Sequence, residues 1–270
     1  MQPQVFRTTA CRAIITGASS GLGAEFARQL APAADFLVLI ARREDALESV
    51  KSSLAGSKAR IHLCVADLSS PSGLLTVLAF LDAHELRPNL LINNAGMGDY
   101  GSFAESTPEK TRAQLDLNIT ALTMLTHAML PRLESPGGVL NVSSLASTLP
   151  MPELAVYAAS KSYVTSFSEA LAIELAPRGI TVTCVCPGPT PTNFSQTARR
   201  PDGTDTNREG QAFLRIPPAQ VVSEALAGLV AGKACVWPGR GVSIAARLFR
   251  HLPRVLLRWI LARRMKKTAL

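Results

Sequence analysis

Two periodicities alternate along the chain. Short runs in which nearly every residue is apolar give way to longer stretches with an apolar residue every three or four positions. "CRAIIT", "DFLVLIA", "ARIHLCVAD", "NLLINNAG", "GGVLNVSS" and "GITVTCVCPG" read as strands, and "KACVWPG" as one more. Between them lie the helical patterns "GLGAEFARQLA", "EDALESVKSSLA", "PSGLLTVLAFLDAH" and "AVYAASKSYVTSFSEALAIELAP", with one long helix through "TPEKTRAQLDLNITALTMLTHAMLPRL". Uniformly apolar strands separated by helices predict a parallel sheet covered on both faces. The fold class is therefore α/β, a Rossmann-like doubly wound parallel sheet of about seven strands, which binds ligands at the carboxyl ends of its strands. The expected organisation is one domain over residues 1–239, with a polar, turn-rich substrate loop near 195–215, followed by a separate tail over 240–270.

Composition agrees with a single large core: the chain has 270 residues, 47% of them hydrophobic. The net charge of +8 changes the picture only for the tail. Nine of the 28 Lys and Arg lie from Arg240 onward, with no acid among them, and the remaining nineteen face twenty acidic residues. A nucleic-acid protein spreads its basic residues over a folded face, so nucleic acid is not expected as a partner. In "RLFRHLPRVLLRWILARRMKK", Leu248, Leu252, Val255, Leu256, Trp259 and Ile260 can form a stripe flanked by Arg250, Arg254, Arg258, Arg263 and Arg264. Pro253 would interrupt or start the helix. Such a segment either lies on an anionic membrane surface or packs on its own domain or across a subunit interface.

The cysteines Cys11, Cys64, Cys184, Cys186 and Cys235 are odd in number and scattered, which fits reduced thiols in a reducing compartment. Cys184 and Cys186 share a strand face without zinc spacing, and no metal is expected. No leader-like apolar core precedes the first glycine turn, and no apolar run reaches membrane-spanning length. The expected location is cytoplasmic, at most peripheral to the inner face of a membrane.

"TGASSGLG", Thr16 to Gly23, leaves the first strand and opens a helix. Gly17 permits a tight turn, Gly21 lets backbone approach a ligand, and Gly23 lets helix and strand pack closely. The helix N-terminus then offers free N–H groups to a pyrophosphate. At the end of the second strand, where a carboxylate would bind the ribose 2′-hydroxyl of NAD, the chain reads "LVLIARRE". Ala41 replaces the acid, and Arg42 and Arg43 suit a 2′-phosphate, so NADP(H) is the expected cofactor. Asp67, after the third strand, either accepts from the adenine amino group or caps the next helix.

Over Arg12 to Gly239 the chain resembles the short-chain dehydrogenase/reductase family. The resemblance rests on "TGASSGLG", "NNAG" (Asn93 to Gly96), the asparagine of "LDLNIT" (Asn118), "NVSS" (Ser143 and Ser144), "YAASK" (Tyr157 to Lys161) and "PGPTPT" (Pro187 to Thr192), in that order. It implies a catalytic tetrad of Asn118, Ser144, Tyr157 and Lys161. Ser144 is preferred over Ser143 because the family's serine usually stands thirteen positions before its tyrosine. It implies cofactor contacts from Gly17, Ser19, Ser20, Gly21, Leu22 and Gly23, from Arg42 and Arg43, and from Asp67 and Leu68. Asn94, Ala95 and Gly96 would line the adenine-ribose side, Asn94 also bracing the sheet, and Pro187, Gly188, Thr190 and Thr192 would face the nicotinamide carboxamide. Ser20 stands where some NADP-preferring members carry a basic residue, so the arginine pair must set the preference. Ser147 stands where glycine is common.

These residues have a chemical logic. Positions four apart share a helix face, so Lys161 lies beside Tyr157. Its ammonium is expected to lower the phenol from about 10. Tyr157 would donate a proton to a carbonyl held by Ser144 while the dinucleotide delivers hydride. Lys161 would also bind the nicotinamide ribose, and Asn118 would hold a water that links Lys161 to solvent. The expected activity is NADP(H)-dependent interconversion of a small-molecule carbonyl and its alcohol, with a hydrophobic substrate. Segments 98–103, 148–154 and 195–215 would shape the pocket. The resemblance also implies a homo-oligomer, dimer or tetramer, through the long helices on either side of the fifth strand. A non-catalytic NADP(H)-binding sensor or membrane-associated scaffold is the alternative. A serine hydrolase is disfavoured, because none of His62, His84, His127 and His251 sits in a motif for a general base.

Overall fold

Alternation within each strand divides the core into two layers. The computed structural model describes residues 6–8, 10–200 and 214–268. In β1 (Arg12–Thr16), Ala13 and Ile15 join one layer and Ile14 the other. In β2 (Phe36–Ala41), Leu37 and Leu39 face the first layer, and Phe36, Val38 and Ile40 the second. Side chains two apart on a strand share a face, so two apolar faces demand helices on both sides. Each fully buried Leu or Ile contributes about 1.5–3 kcal/mol.

The remaining strands are β3 (Arg60–Val65), β4 (Leu90–Asn93), β5 (Gly137–Val142), β6 (Ile180–Val185) and β7 (Cys235–Val236). All neighbouring pairs are parallel, in the order β3-β2-β1-β4-β5-β6-β7. The chain builds outward from β1 to β3, then crosses back and builds the other way from β4. The carboxyl ends of β1 and β4 therefore flank the crevice where such sheets bind ligands.

The first layer receives α1 (Gly21–Leu30) and α2 (Glu44–Ser53), together with α8 (Pro218–Val230) and α9 (Arg240–His251) described below. The second layer receives α3 (Pro71–Ala83), α5 (Leu122–Met129) and α6 (Ala155–Leu175). Leu125 and Met129 of α5, and Leu171 and Leu175 of α6, are buried there.

The structure departs from the sequence pattern in three places. The long helix before β5 is not uniform: α4 (Pro108–Leu115) widens into a π-turn over Asp116–Ala121 before α5 begins. Inserted π-turns gather at functional sites, and this one carries Asn118. Helix α8 was not anticipated, yet its Val221, Val222, Ala225 and Leu229 complete the first layer. The short α7 (Phe194–Thr197) follows β6. In the tail, α9 buries Val242 and Ala246 in the main core, Pro253 follows it, and α10 (Arg254–Thr268) begins at the next residue. Most of the expected substrate loop, residues 201–213, lies outside the described residues.

Candidate active site

The first turn is built by close backbone approach. Gly17 has φ +65, and a Cβ on it would lie 2.9 Å from the Ala95 Cα. A Cβ on Gly23 would lie 2.2 Å from the Gly17 carbonyl oxygen, so the first turn of α1 sits directly on the loop that precedes it. Asn94 locks this arrangement. Its Nδ2 donates to the carbonyls of Thr16 at 2.9 Å and Gly17 at 3.2 Å, and the Thr16 hydroxyl accepts from the backbone of Asn94 and Ala95 at 3.0 Å each. The brace expected of Asn94 thus runs to the glycine turn. The sheet itself is braced by its neighbour Asn93, whose Nδ2 donates to Thr126 at 2.9 Å and Asn141 at 2.8 Å.

Ser20 occupies the N-cap of α1 without a side-chain cap bond, which leaves the opening N–H groups of the helix to a ligand. Ser19, Gly21 and Leu22 follow the same turn. Arg42 and Arg43 are exposed at the end of β2, and neither forms an ion pair with a described residue. Asp67 and Leu68 follow β3. Burial opposes ionisation of Asp67, but hydrogen bonds from Ser69 and the nearby charge of Arg42 hold its carboxyl below the usual range. Asp67 does not cap α3: Ser70 does, accepting from Gly73 N at 3.3 Å, while Asp67 accepts from Ser69. A dinucleotide fits this edge, with a backbone cradle that a Cβ would fill, an uncapped helix start, and cations at the second strand end.

At the next strand ends the tetrad residues converge. Ser144 follows β5 beside the Tyr157 phenol, which its hydroxyl acts to lower, and the same hydroxyl accepts from Ala146 N at 3.1 Å. Ser143 points elsewhere, donating to the Lys161 carbonyl at 2.7 Å and meeting Thr165 at 2.8 Å. Lys161 is only 4% exposed; its Nζ lies 5.8 Å from the Tyr157 ring centre and donates to the Val142 carbonyl at 2.9 Å. Asn118 is 1% exposed and pairs with both backbone groups of Met97, accepting from its N–H and donating to its carbonyl at 2.9 Å each. It also donates to Ser160 at 3.0 Å. A Cβ on Gly96 would sit 3.2 Å from both Asn118 Oδ1 and Lys161 Nζ, so these three residues share one point. The exit of β6 completes the edge: Leu145 N donates to Pro187 O at 2.8 Å, Thr190 donates to Gly188 O at 3.1 Å, and Thr192 packs against Gly21.

One electrostatic expectation is overturned. Burial pushes the Tyr157 phenol up to about 12, although the nearby Ser144 hydroxyl works the other way. Burial also pulls Lys161 down to about 8. Desolvation wins because the ammonium is directed to a backbone carbonyl and not to the phenol.

The expected pocket segments 98–103 and 195–215 are joined by two residues that the sequence reading did not single out. Arg200 is 7% exposed and Asp99 9%. The guanidinium donates to both carboxylate oxygens of Asp99, at 2.9 and 2.8 Å, and to Ser102 O at 3.0 Å. Lys110 at 2.9 Å and Ser106 at 2.7 Å also bond Asp99. Burial would raise the Asp99 carboxyl, but these donors outweigh it and hold it at about 2. This clamp ties the segment after α7 to the loop after β4, and Tyr100 N donates to Ala198 O at 2.9 Å beside it. The tie seats Phe194 with its ring centre 5.4 Å from that of Tyr157. Gly101 N donates to Glu153 O at 2.9 Å, so the described parts of the three expected pocket segments do meet. Asp99 and Arg200 lie 101 positions apart in residue number, and nothing local in either stretch marks them as partners.

Comparison with known proteins follows the same lines. The chain matches the short chain dehydrogenase family over residues 12–203. It is 36% identical over 185 residues to a sulfoacetaldehyde reductase of Chromohalobacter salexigens, covering 67% of this chain and 73% of the relative. Among solved structures, a short-chain dehydrogenase from Sphingobium yanoikuyae in complex with NADPH superposes with a TM-score of 0.74 at 33% identity, covering 83% of this chain and 86% of that one. A bulky-bulky ketone specific alcohol dehydrogenase from Comamonas testosteroni gives 0.72 at 28% identity, covering 96% and 94%.

Proposed function

The chain belongs to the short-chain dehydrogenase/reductase family, and we propose that it reduces a hydrophobic ketone or aldehyde to the alcohol with NADPH. The observation that carries this reading is the meeting of Ser144, Tyr157 and Lys161 at the strand ends beside the glycine cradle. The bound nicotinamide would supply the hydride. The turn from Gly17 to Gly23 and the start of α1 would hold the pyrophosphate. Arg42 and Arg43 would hold a 2′-phosphate, and Asn94 to Gly96 and Pro187 to Thr192 would line the remaining edge. Lys161 has Val142 O as its one hydrogen-bond acceptor among the described residues, which leaves donors for the ribose hydroxyls.

Ser144 orients and polarises the carbonyl oxygen, and Tyr157 gives it a proton. A phenol at about 12 is protonated at neutral pH, which is the form that reduction needs and oxidation does not. Asn118 holds Met97 in place and keeps a second lone pair on Oδ1 for a water between itself and Lys161. Reduction should hold steady up to about pH 8 and fall above it, as Lys161 loses its charge. The apolar substrate class rests on Phe194 over the catalytic tyrosine, and the bulky-ketone enzyme shares this fold. The five free thiols support a reducing compartment such as the cytoplasm. Exposed Met124 on α5, and Tyr163 and Ile173 on α6, offer an apolar face for a homo-oligomer.

The test is a fluorescence titration with NADPH and NADH on wild type and the Arg42→Ala/Arg43→Ala double variant. NADPH preferred by more than about tenfold, and lost in the variant, supports the cofactor assignment. Equal binding of the two cofactors would remove it. Tyr157→Phe should bind NADPH normally yet reduce carbonyls about 100-fold more slowly or worse.

A further inference from the structure

The last two helices expose more apolar surface than any comparable stretch of the described chain. Of fourteen large hydrophobic side chains exposed to solvent, six lie on α9 and α10: Ile244 at 59%, Leu248 at 60%, Val255 at 77%, Leu256 at 42%, Trp259 at 50% and Ile260 at 44%. They do not lie on the sides that pack. Helix α9 turns Val242 and Ala246 into the core, and α10 buries Leu257. The exposed residues of α10 follow i, i+1, i+4, i+5 spacing and form one stripe. Where the helices meet, Arg247, Leu248, His251, Leu252 and Pro253 line an open groove of about 340 Å³.

The charge carried by these two helices has one sign. From Arg240 to the end of the chain there are nine Lys and Arg and no Asp or Glu. Arg250 is paired with Glu169 of α6 at 3.7 Å. Arg247, Arg258 and Arg263 form no ion pair with a described residue. Arg263 stacks on Trp259 with its guanidinium 3.7 Å from the ring centre, so a cation and an indole occupy one spot on the stripe. Among the described residues, no helix is long and apolar enough to cross a membrane.

We propose that the exposed face of α9 and α10 docks in the plane of an anionic lipid bilayer. A second copy of the chain would set its own Arg247, Arg258 and Arg263 against their counterparts here, which repels, whereas an anionic headgroup layer neutralises them. Apolar side chains enter the acyl boundary, Trp259 sits at headgroup level, and the arginines reach the phosphates. The position in the fold gives docking a consequence. Helix α9 packs on the segment Leu145–Thr148 after Ser144, and Val242 fills the space over Gly188, so the docked face roots at the rim of the catalytic cleft. On the proposed reductase reading, lipophilic carbonyls would reach Tyr157 from the bilayer.

Flotation tests docking without any substrate. The full chain is mixed with vesicles of phosphatidylcholine alone or with about a third phosphatidylserine. The expected result is at least about tenfold more protein with the anionic vesicles, released by high salt, with a blue shift of tryptophan emission. The full-length Val255→Glu/Trp259→Glu variant should lose the partition and keep NADPH binding. Partition that is absent, equal for both vesicles, or unchanged in the variant overturns the proposal. So does wild type that ignores vesicles but forms an oligomer which the variant breaks by light scattering, since the face is then an interface between copies. NADPH binding that fails while flotation succeeds would count against the reductase reading and leave the docking intact.

Discussion

The two sides of the cleft are built by different physics. On the cofactor side, backbone approaches backbone: α1 rests on the Gly17 carbonyl, and Asn94 ties the turn to β4. On the substrate side, side chains carry the structure: Asp99, Arg200, Lys110 and Ser106 form a buried charged cluster that holds the segment after α7. The first device tolerates almost no change of residue, because a Cβ has nowhere to go. The second tolerates changes of partner, provided that no buried charge is left alone. A family can keep one cofactor cradle and vary its substrates when the two sides are held so differently.

The largest effect is expected at Gly23. A Cβ there would sit 2.2 Å from a backbone oxygen, so Gly23→Ala should cost about 4 kcal/mol or more and abolish NADPH binding. Thermal unfolding and cofactor titration check both. A variant that binds normally would show that the cradle is not held by backbone contact.

Next comes the clamp. Asp99→Asn or Arg200→Met should each cost about 2–3 kcal/mol in urea unfolding, because each removes the bidentate partner of a buried charge, while Lys110 and Ser106 remain on Asp99 and Glu105 near Arg200. The double variant should cost less than the sum. Arg200→Lys should fall between. KM for a carbonyl substrate should rise in all of them while NADPH affinity holds, and a parallel loss of NADPH affinity would break the distinction between the two sides.

Acid sharpens the same point with a smaller effect. Asp99 is held at about 2 in the fold, against an ordinary carboxyl near 4 in the unfolded chain. A depressed carboxyl contributes stability that is fully present above the unfolded value and lost as pH falls through the folded one. About 2 kcal/mol should therefore disappear between about pH 4 and pH 2. Asp99→Asn should lack that part of the slope.

The smallest effect is at Phe194, whose ring meets Tyr157. Phe194→Ala should cost about 1 kcal/mol of stability, raise KM for bulky carbonyls, and leave NADPH affinity alone. Steady-state kinetics with a small and a bulky ketone would separate loss of the ring from loss of the fold.

The legibility of the two sides differs for the same reason. A glycine turn after a strand, a Y-x-x-x-K on one helix face and an arginine pair at a strand end are local patterns, readable because their chemistry is set within a few residues. Uniformly apolar runs between helical patterns likewise foretold the first six strands and the sheet covered on both faces. The two-residue β7 was also foreseen, in "KACVWPG". Helix α8 went unread despite an apolar pattern that matches a helix, and the π-turn at Asn118 left no mark in composition.

What the amino-acid order determined by itself was the doubly wound sheet, the cradle and the identity of the polar residues at the strand ends. Those features follow from periodicity and from backbone freedom, both local. Tertiary structure alone decided that burial lifts Tyr157 instead of Lys161 lowering it, whereas the choice of Ser144 over Ser143 was already legible in its spacing from Tyr157. Tertiary structure also decided that an aspartate and an arginine from distant loops close the substrate side. Such outcomes depend on which groups lose water together, and desolvation is a property of the packed molecule, not of any stretch of chain.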